Sequence, residues 1–183
     1  KDALTCIIQN LAELDALTDV IIVDTGAGIS DSVLEFLVAS GEVLLVNDAG
    51  ATSITDSYSL LKALYRHPRY EEAYTKVKMV ANRVENVKED QVLFDKLNAV
   101  VTRYLKTSME YLGCVPQDPQ VVQAVMQQVP VSIQNPGAKS SQAYQRIAEK
   151  LCDKTQEEQP RRGMAAFFSH IIGTRNGAAK QSR

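Results

Sequence analysis

The chain has no tryptophan, four phenylalanines, two histidines and three cysteines among its 183 residues. Each scarcity excludes something. Cys6, Cys114 and Cys152 are odd in number and far apart, so they form no zinc-ligand or CxxC spacing. A reduced, cytoplasmic setting follows from that usage, and the three thiols are expected to fill core space. His67 and His170 are isolated, with no acid or nucleophile at triad-like spacing. No apolar run approaches the ~18 residues that a membrane-spanning helix needs. No charged-then-apolar leader stands at the N-terminus. Lys1 is not a start methionine and the first residues read as mid-helix, so the chain is expected to begin inside a larger protein.

What is present is ordinary for a globular domain: 45% hydrophobic and 23% charged residues, with a net charge of −2. The charge is unevenly spread. Pro160 to Arg183 holds five basic residues (Arg161, Arg162, Arg175, Lys180 and Arg183) and no acid, which leaves −7 for residues 1–159. The expected organisation is a domain over 1–152, a polar linker over 153–160 and a basic amphipathic tail over 161–183. An acidic body argues against a direct nucleic-acid surface, and so against a DNA-partition function.

Periodicity gives the body's class. Leu4, Ile7, Ile8, Leu11 and Leu14 recur at helical spacing. Asp19-Val20-Ile21-Ile22-Val23-Asp24 reads as a strand buried on both faces, followed by a glycine-rich loop to Ser30. A helix is expected from about Asp31, with Val33, Leu34, Leu37 and Val38 inward. Val43–Val46 reads as a second buried strand. Ser53 and Asp56 form a capping box for a helix to about Tyr65. A third strand covers Val77–Ala81 and ends at Asn82-Arg83. Asn86 and Glu89 cap a long helix closed by Gly113. Cys114-Val115-Pro116 ends a short fourth strand. Asp118 caps the next helix, with Pro119 in its first turn, and Ser140 opens a last helix to about Cys152. Strands alternating with helices predict an α/β fold, a parallel sheet with helices on both faces. Ligands in such sheets bind beyond the C-terminal strand ends, which points to Asp24–Ser30, Asn82–Arg83 and Pro116–Asp118.

One constellation carries chemistry. A strand that delivers Asp24 to its tip suits a Mg²⁺ ion held through water. Gly26 and Gly28 behind it let backbone N–H groups approach a phosphate. Asp24-Thr25-Gly26-Ala27-Gly28-Ile29 resembles the phosphate-sensing switch of the MinD/ParA-type ATPases, in the form used by their flagellar-number regulators (the FlhG/FleN kind). The resemblance continues through Thr52–Lys62, Ala81-Asn82-Arg83, Leu112–Asp118 and Gln123-Ala124-Val125. It reaches Arg162-Gly163 and Phe167-Phe168, and so covers nearly the whole chain in order.

The resemblance implies a P-loop NTPase fold that lacks its N-terminal part. It implies ATP and Mg²⁺ as cofactors, with Asp24 as the catalytic metal-water residue. Gly26 and Gly28 would sense the γ-phosphate, Asn82 with Arg83 would sit at the adenine, and Pro116 would flank the base. It implies a homodimer on ATP, peripheral at the inner face of the cell membrane. The implied partners are a flagellar signal-recognition-type GTPase, motor switch-ring proteins or a flagellar transcription activator. Two departures stand out. Asp48-Ala49-Gly50-Ala51 replaces the family's acidic-Pro element before Thr52. No Gly-x-x-x-x-Gly-Lys-Ser/Thr occurs anywhere, so the chain by itself is expected to be inactive. The rival expectation is a non-catalytic interaction module produced by truncation.

The tail has a pattern of its own. Met164, Phe167, Phe168, Ile171 and Ile172 fall at offsets 0, 3, 4, 7 and 8. At ~100° per residue they span roughly 140° of one helix face. With basic residues around them, they are expected to lie on an anionic membrane surface.

Overall fold

A computed structural model describes residues 17–86 and 88–152. The expectations for Cys6, the first helix up to residue 16, the 153–160 linker, His170 and the Met164–Ile172 stripe lie outside the described residues.

The order of elements is α1 (Asp31–Ala39), β1 (Glu42–Asn47), α2 (Ala51–Tyr65), β2 (Lys76–Val84), α3 (Glu89–Leu105), β3 (Glu110–Pro116), α4 (Pro119–Met126), α5 (Val131–Gln134) and α6 (Lys139–Cys152). The three strands form a parallel sheet in the order β1-β2-β3. On one face α1, α2 and α3 close a core around Val43, Leu45, Leu61, Leu64, Met79, Leu97 and Val101. On the other face α6 packs Ala143, Ile147 and Leu151 against Val80, Leu112 and Val115. A parallel sheet with helices on both faces is therefore the observed fold.

Local chemistry explains most element ends. Ser30 accepts from the Val33 N–H and starts α1, as its position before an apolar-periodic run dictates. Asp118 starts α4, and Pro119 takes the first turn, where a missing N–H costs nothing. Lys106 ends α3 in the left-handed region, at φ 60°.

Several expectations are corrected. Residues 20–24 form no strand, and Val20, Ile22 and Val23 are exposed. A strand exists by laddering with a neighbour, and among the described residues nothing pairs with this run. Val43–Val46 is a strand, but only alternate residues are buried: Leu44 and Val46 face outward because, among the described residues, no helix covers β1 on its second face. Gly50, not Ser53, caps α2. Ser53 instead donates to Asn47 Oδ1 and accepts from the Asp48 N–H, tying the helix to the strand before it. Lys88 occupies the cap position of α3. Asn86 and Glu89 accept from the Lys88 and Glu85 N–H groups, so they order the approach to the helix rather than its first turn.

Gly113 does not close that helix. It lies inside β3 at φ +156°, where a Cβ would strain the backbone and stand 3.5 Å from Ile147. Cys152 is exposed, not core, and Cys114 is half-buried.

Candidate functional site

The parallel strands deliver three C-terminal ends to one edge of the sheet. They carry Asn47-Asp48, Asn82-Arg83-Val84 and Pro116-Gln117-Asp118. The middle end is irregular. Asn82 pairs with Val115 and Val84 with Pro116, so Arg83 is an extra residue on β2, a bulge. Arg83 sits at φ 57°, a left-handed conformation that costs a non-glycine residue roughly 1–2 kcal/mol. The bulge returns Val84 to the core at 4% exposure while it turns Arg83 out to solvent. Backbone strain of this kind gathers at functional sites, where the surrounding structure holds it in place.

Two contacts join the second and third strand ends. The Arg83 Nε donates to Gln117 Oε1 at 3.2 Å, and the Gln117 N–H donates to the Val84 carbonyl at 2.9 Å. Asn82 stands half-buried beside them, and its carboxamide makes no hydrogen bond among the described residues. Such a carboxamide offers two donors and an acceptor. That donor and acceptor set fits the edge of a purine base.

Asp118 holds the loop in place. Its carboxylate accepts from the Gln120 N–H at 2.9 Å, the Ser140 N–H at 3.0 Å and the Ser140 Oγ at 2.9 Å. One side chain thus serves the first turns of both α4 and α6. The backbone donor of Ser140, then that of Gln120, hold its pKa below the usual carboxylate value. A second tie lies under the β2–α3 loop. Tyr111 Oη donates to Asp90 Oδ2 at 2.5 Å. Burial works against the Asp90 carboxylate, yet hydrogen bonds from Tyr111, Cys114 and the Gln91 N–H outweigh it and depress its pKa. The same burial and the same bond push the Tyr111 phenol well up.

The other predicted residues stand apart. Asp24, Gly26 and Gly28 are exposed on the approach to α1, and no hydrogen bond joins them to Asn82, Arg83 or Pro116. A Cβ at Gly26 or Gly28 would meet nothing within 4 Å, and only Gly28, at φ +117°, needs to be glycine for its backbone. No group of three or more His, Cys, Asp or Glu side chains could hold a metal among the described residues. A magnesium ion bound mostly by water needs only one carboxylate, and Asp24 is an exposed carboxylate that could serve. In donor chemistry the Asn82 carboxamide is compatible with a base, and Asp24 with its glycines is compatible with a metal–phosphate group. No helix among the described residues is long and apolar enough to cross a membrane.

Sequence reasoning missed the Arg83 bulge, the Gln117 contact and the second partner of Asp118. It also missed Asn47, which is 1% exposed and whose Oδ1 accepts from Ser53. The adjacent serines Ser140-Ser141 were the available signal for Asp118. Bulges leave no comparable mark.

A three-stranded parallel sheet with helices on both faces defines an α/β protein of the parallel-sheet class, and solved structures share that fold. The cell division ATPase MinD of Pyrococcus furiosus superimposes with a TM-score of 0.59 at 20% identity, over 79% of this chain and 56% of that one. The septum site-determining protein MinD complexed with Mg-ADP from Pyrococcus horikoshii gives 0.59 at 18% identity, over 80% and 55%. At these identities the likeness shows the fold. Sequence likeness goes further. The antiactivator FleN of Pseudomonas aeruginosa is 36% identical over 166 residues, 91% of this chain and 58% of its own length. The flagellum site-determining protein YlxH of Helicobacter pylori is 28% identical over 158 residues, 84% and 52%. No protein-family model matches the chain. The chain spans about half the length of the curated relatives it matches. These likenesses support a MinD/ParA-type relative of the flagellar-number regulators, matched over part of their length.

Proposed function

We propose that the chain forms the base-binding and switch part of an ATP-dependent regulator of flagellar number or placement. The observation that carries this reading is the Asn82–Arg83 bulge set against Pro116-Gln117, on the strand edge where such sheets bind ligands. The likeness to FleN supports the flagellar assignment, and the word antiactivator in that relative's name favours a transcription activator over the GTPase or the switch ring as partner.

In this reading Asn82 reads the adenine edge and Pro116 flanks the base. Asp24 holds a water of a Mg²⁺ ion, which when bound neutralises phosphate charge. The Gly26–Gly28 backbone responds to the γ-phosphate. Phosphoryl transfer depends on positioning and electrostatic stabilisation, and a phosphate-binding loop supplies much of both. The 183 residues hold no such loop, so this chain alone does not hold ATP tightly. ATP would pair two copies, and the Met164–Ile172 stripes of the pair would hold an anionic membrane surface at the cytoplasmic face by avidity.

The test is calorimetry with Mg-ATP. A flat trace is expected for the chain alone, and a micromolar dissociation constant would sink the reading. In a protein where a phosphate-binding loop precedes this chain, Asp24→Ala should lower hydrolysis more than binding, and Asn82→Ala should narrow the preference for ATP over GTP. Equal loss of hydrolysis and binding would make Asp24 structural; unchanged selectivity would move base reading away from Asn82. For the tail, co-sedimentation with anionic vesicles should fall in the Phe167→Glu/Ile171→Glu double variant.

A further inference from the structure

At the opposite edge of the sheet, where the strands begin, lies a cavity of about 360 Å³ between the α2–β2 loop and the α3–β3 loop. Its inner surface is apolar: Val77 and Met109 are 5% and 6% exposed. Tyr65 and Tyr70 line it edge to face, with ring centroids 4.8 Å apart and planes at 71°. Glu72 and Glu110 supply carboxylates at the mouth. Glu72 is fixed, because Thr107 Oγ1 donates to its Oε1 at 2.6 Å. Neither glutamate has an ion-pair partner among the described residues. The loop behind them is fastened to the end of α1. Tyr74 Oη donates to the Ala39 carbonyl at 2.9 Å, and Thr75 Oγ1 to the Ser40 carbonyl at 3.1 Å. The walls are thus held in place without a ligand.

Two aromatic rings, an apolar base and two carboxylates with no ion pair among the described residues, all in one opening, select a particular chemistry. Ring faces and carboxylates both attract positive charge, and a planar guanidinium can stack on a tyrosine while it donates to a carboxylate. An anion would meet two like charges. A neutral apolar molecule would give the carboxylates no partner. Lys76 also lines the opening and is the resident competitor, exposed and without an ion pair among the described residues.

We propose that this cavity is a binding site for an alkylguanidinium group, supplied either by a small organic cation or by an exposed arginine of a partner protein. The site is independent of the nucleotide reading, since it lies at the other edge of the sheet.

The experiment is an amide-shift NMR titration of the full chain with butylguanidinium chloride at millimolar concentrations and constant ionic strength. Butylurea serves as the neutral control. Saturable shifts at Tyr70, Glu72 and Thr107 are expected with the cation and not with butylurea. Glu72→Gln keeps an acceptor for Thr107, and Tyr70→Leu keeps apolar bulk; each should weaken binding about five-fold. Lys76→Gln should tighten it. No saturation, an equal response to butylurea, or indifference to both weakening variants would overturn the proposal. Should either variant fail to fold, the comparison with butylurea on the unaltered chain still decides. A capped Gly-Arg-Gly peptide separates the sources. Tighter binding than butylguanidinium supports a protein partner, and equal or weaker binding supports a small cation.

Discussion

Val77 and Met79 in β2 are 5% and 0% exposed, whereas Ile22 and Val23, from a run of the same apolar character, are 85% and 44% exposed. By composition the two segments are equally good parallel strands. They differ in their neighbours. β2 has a strand on each side and helices over both faces, while residues 20–24 have no ladder partner among the described residues. Strand propensity measures fit to a packed, pleated surface more than an intrinsic backbone preference. The apolar run announces a strand only where the surface that would receive it is present.

Substitutions should separate the two regions most clearly through stability. Met79→Ala deletes buried atoms from the centre of the core and should cost about 2–5 kcal/mol. Ile22→Ala removes a side chain already in water and should stay within about 0.5 kcal/mol. Urea titrations of both variants test the difference. A comparable loss from Ile22→Ala would mean that the run is packed in solution, and the contrast would collapse.

The better-built region also carries the carboxylates that matter for pH. Asp118 and Asp90 both have folded-state pKa values below the ordinary one. A depressed carboxylate contributes stability that is fully present above its unfolded value of about 3.9 and is lost as pH falls through its folded value. The melting temperature should therefore fall as pH drops from 5 towards 3. Asp118→Asn should lower it at neutral pH and flatten the acid slope, because a carboxamide NH₂ cannot accept from Ser140. A profile for Asp118→Asn as steep as the original would remove Asp118 from the linkage.

The same contrast shows what could be read in advance. Helices α1, α2, α4 and α6 were legible in extent: apolar spacing from Asp31, an end near Tyr65, Asp118 before Pro119, and a last helix from about Ser140 to Cys152; the Ser53 cap of α2 was the part that failed. The parallel class and the two strand ends at Asn82 and Pro116 were legible from the alternation of elements. The failures have one cause. Gly113 looked like a helix stop because glycine serves both a helix end and a bulged strand, and only packing against Ile147 decides which. The Val43–Val46 run looked doubly buried because sequence does not show which face a helix covers. The Arg83 bulge depends on register with β3, and no local pattern carries it.

That bulge gives a smaller, sign-sensitive test. A left-handed residue costs roughly 1–2 kcal/mol, and glycine returns roughly 0.5–1 kcal/mol of that as lost chain entropy. Arg83→Gly should stabilise the fold by at most about 1 kcal/mol, and Arg83→Val should destabilise it, since a branched Cβ tolerates positive φ least. Thermal melts of the pair would show opposite shifts. If both variants lose stability alike, the Gln117 contact outweighs the backbone.

The smallest expected change in stability concerns the sparse side of the sheet. Among the described residues β1 pairs with β2 alone, so its other edge presents unpaired N–H and C=O groups. Leu44 and Val46 add outward apolar surface, at 44% and 55% exposure. An open edge with apolar flanks is a template for pairing with another chain, and natural edges are often guarded by lysine. Val46 is the residue to change. Its ladder neighbour is Val80, whereas Leu44 lies beside Lys78, which already pairs with Glu42 at 3.1 Å, so a cation at position 44 would set like charges together. Val46→Lys exchanges an exposed side chain and should move stability by no more than about 0.5 kcal/mol. It should nonetheless reduce concentration-dependent association, measured by sedimentation velocity over a hundredfold dilution. If the variant associates as strongly as the original chain, the β1 edge is not the contact. The exposed Val122, Val125 and Met126 of α4 would then be the next surface to alter.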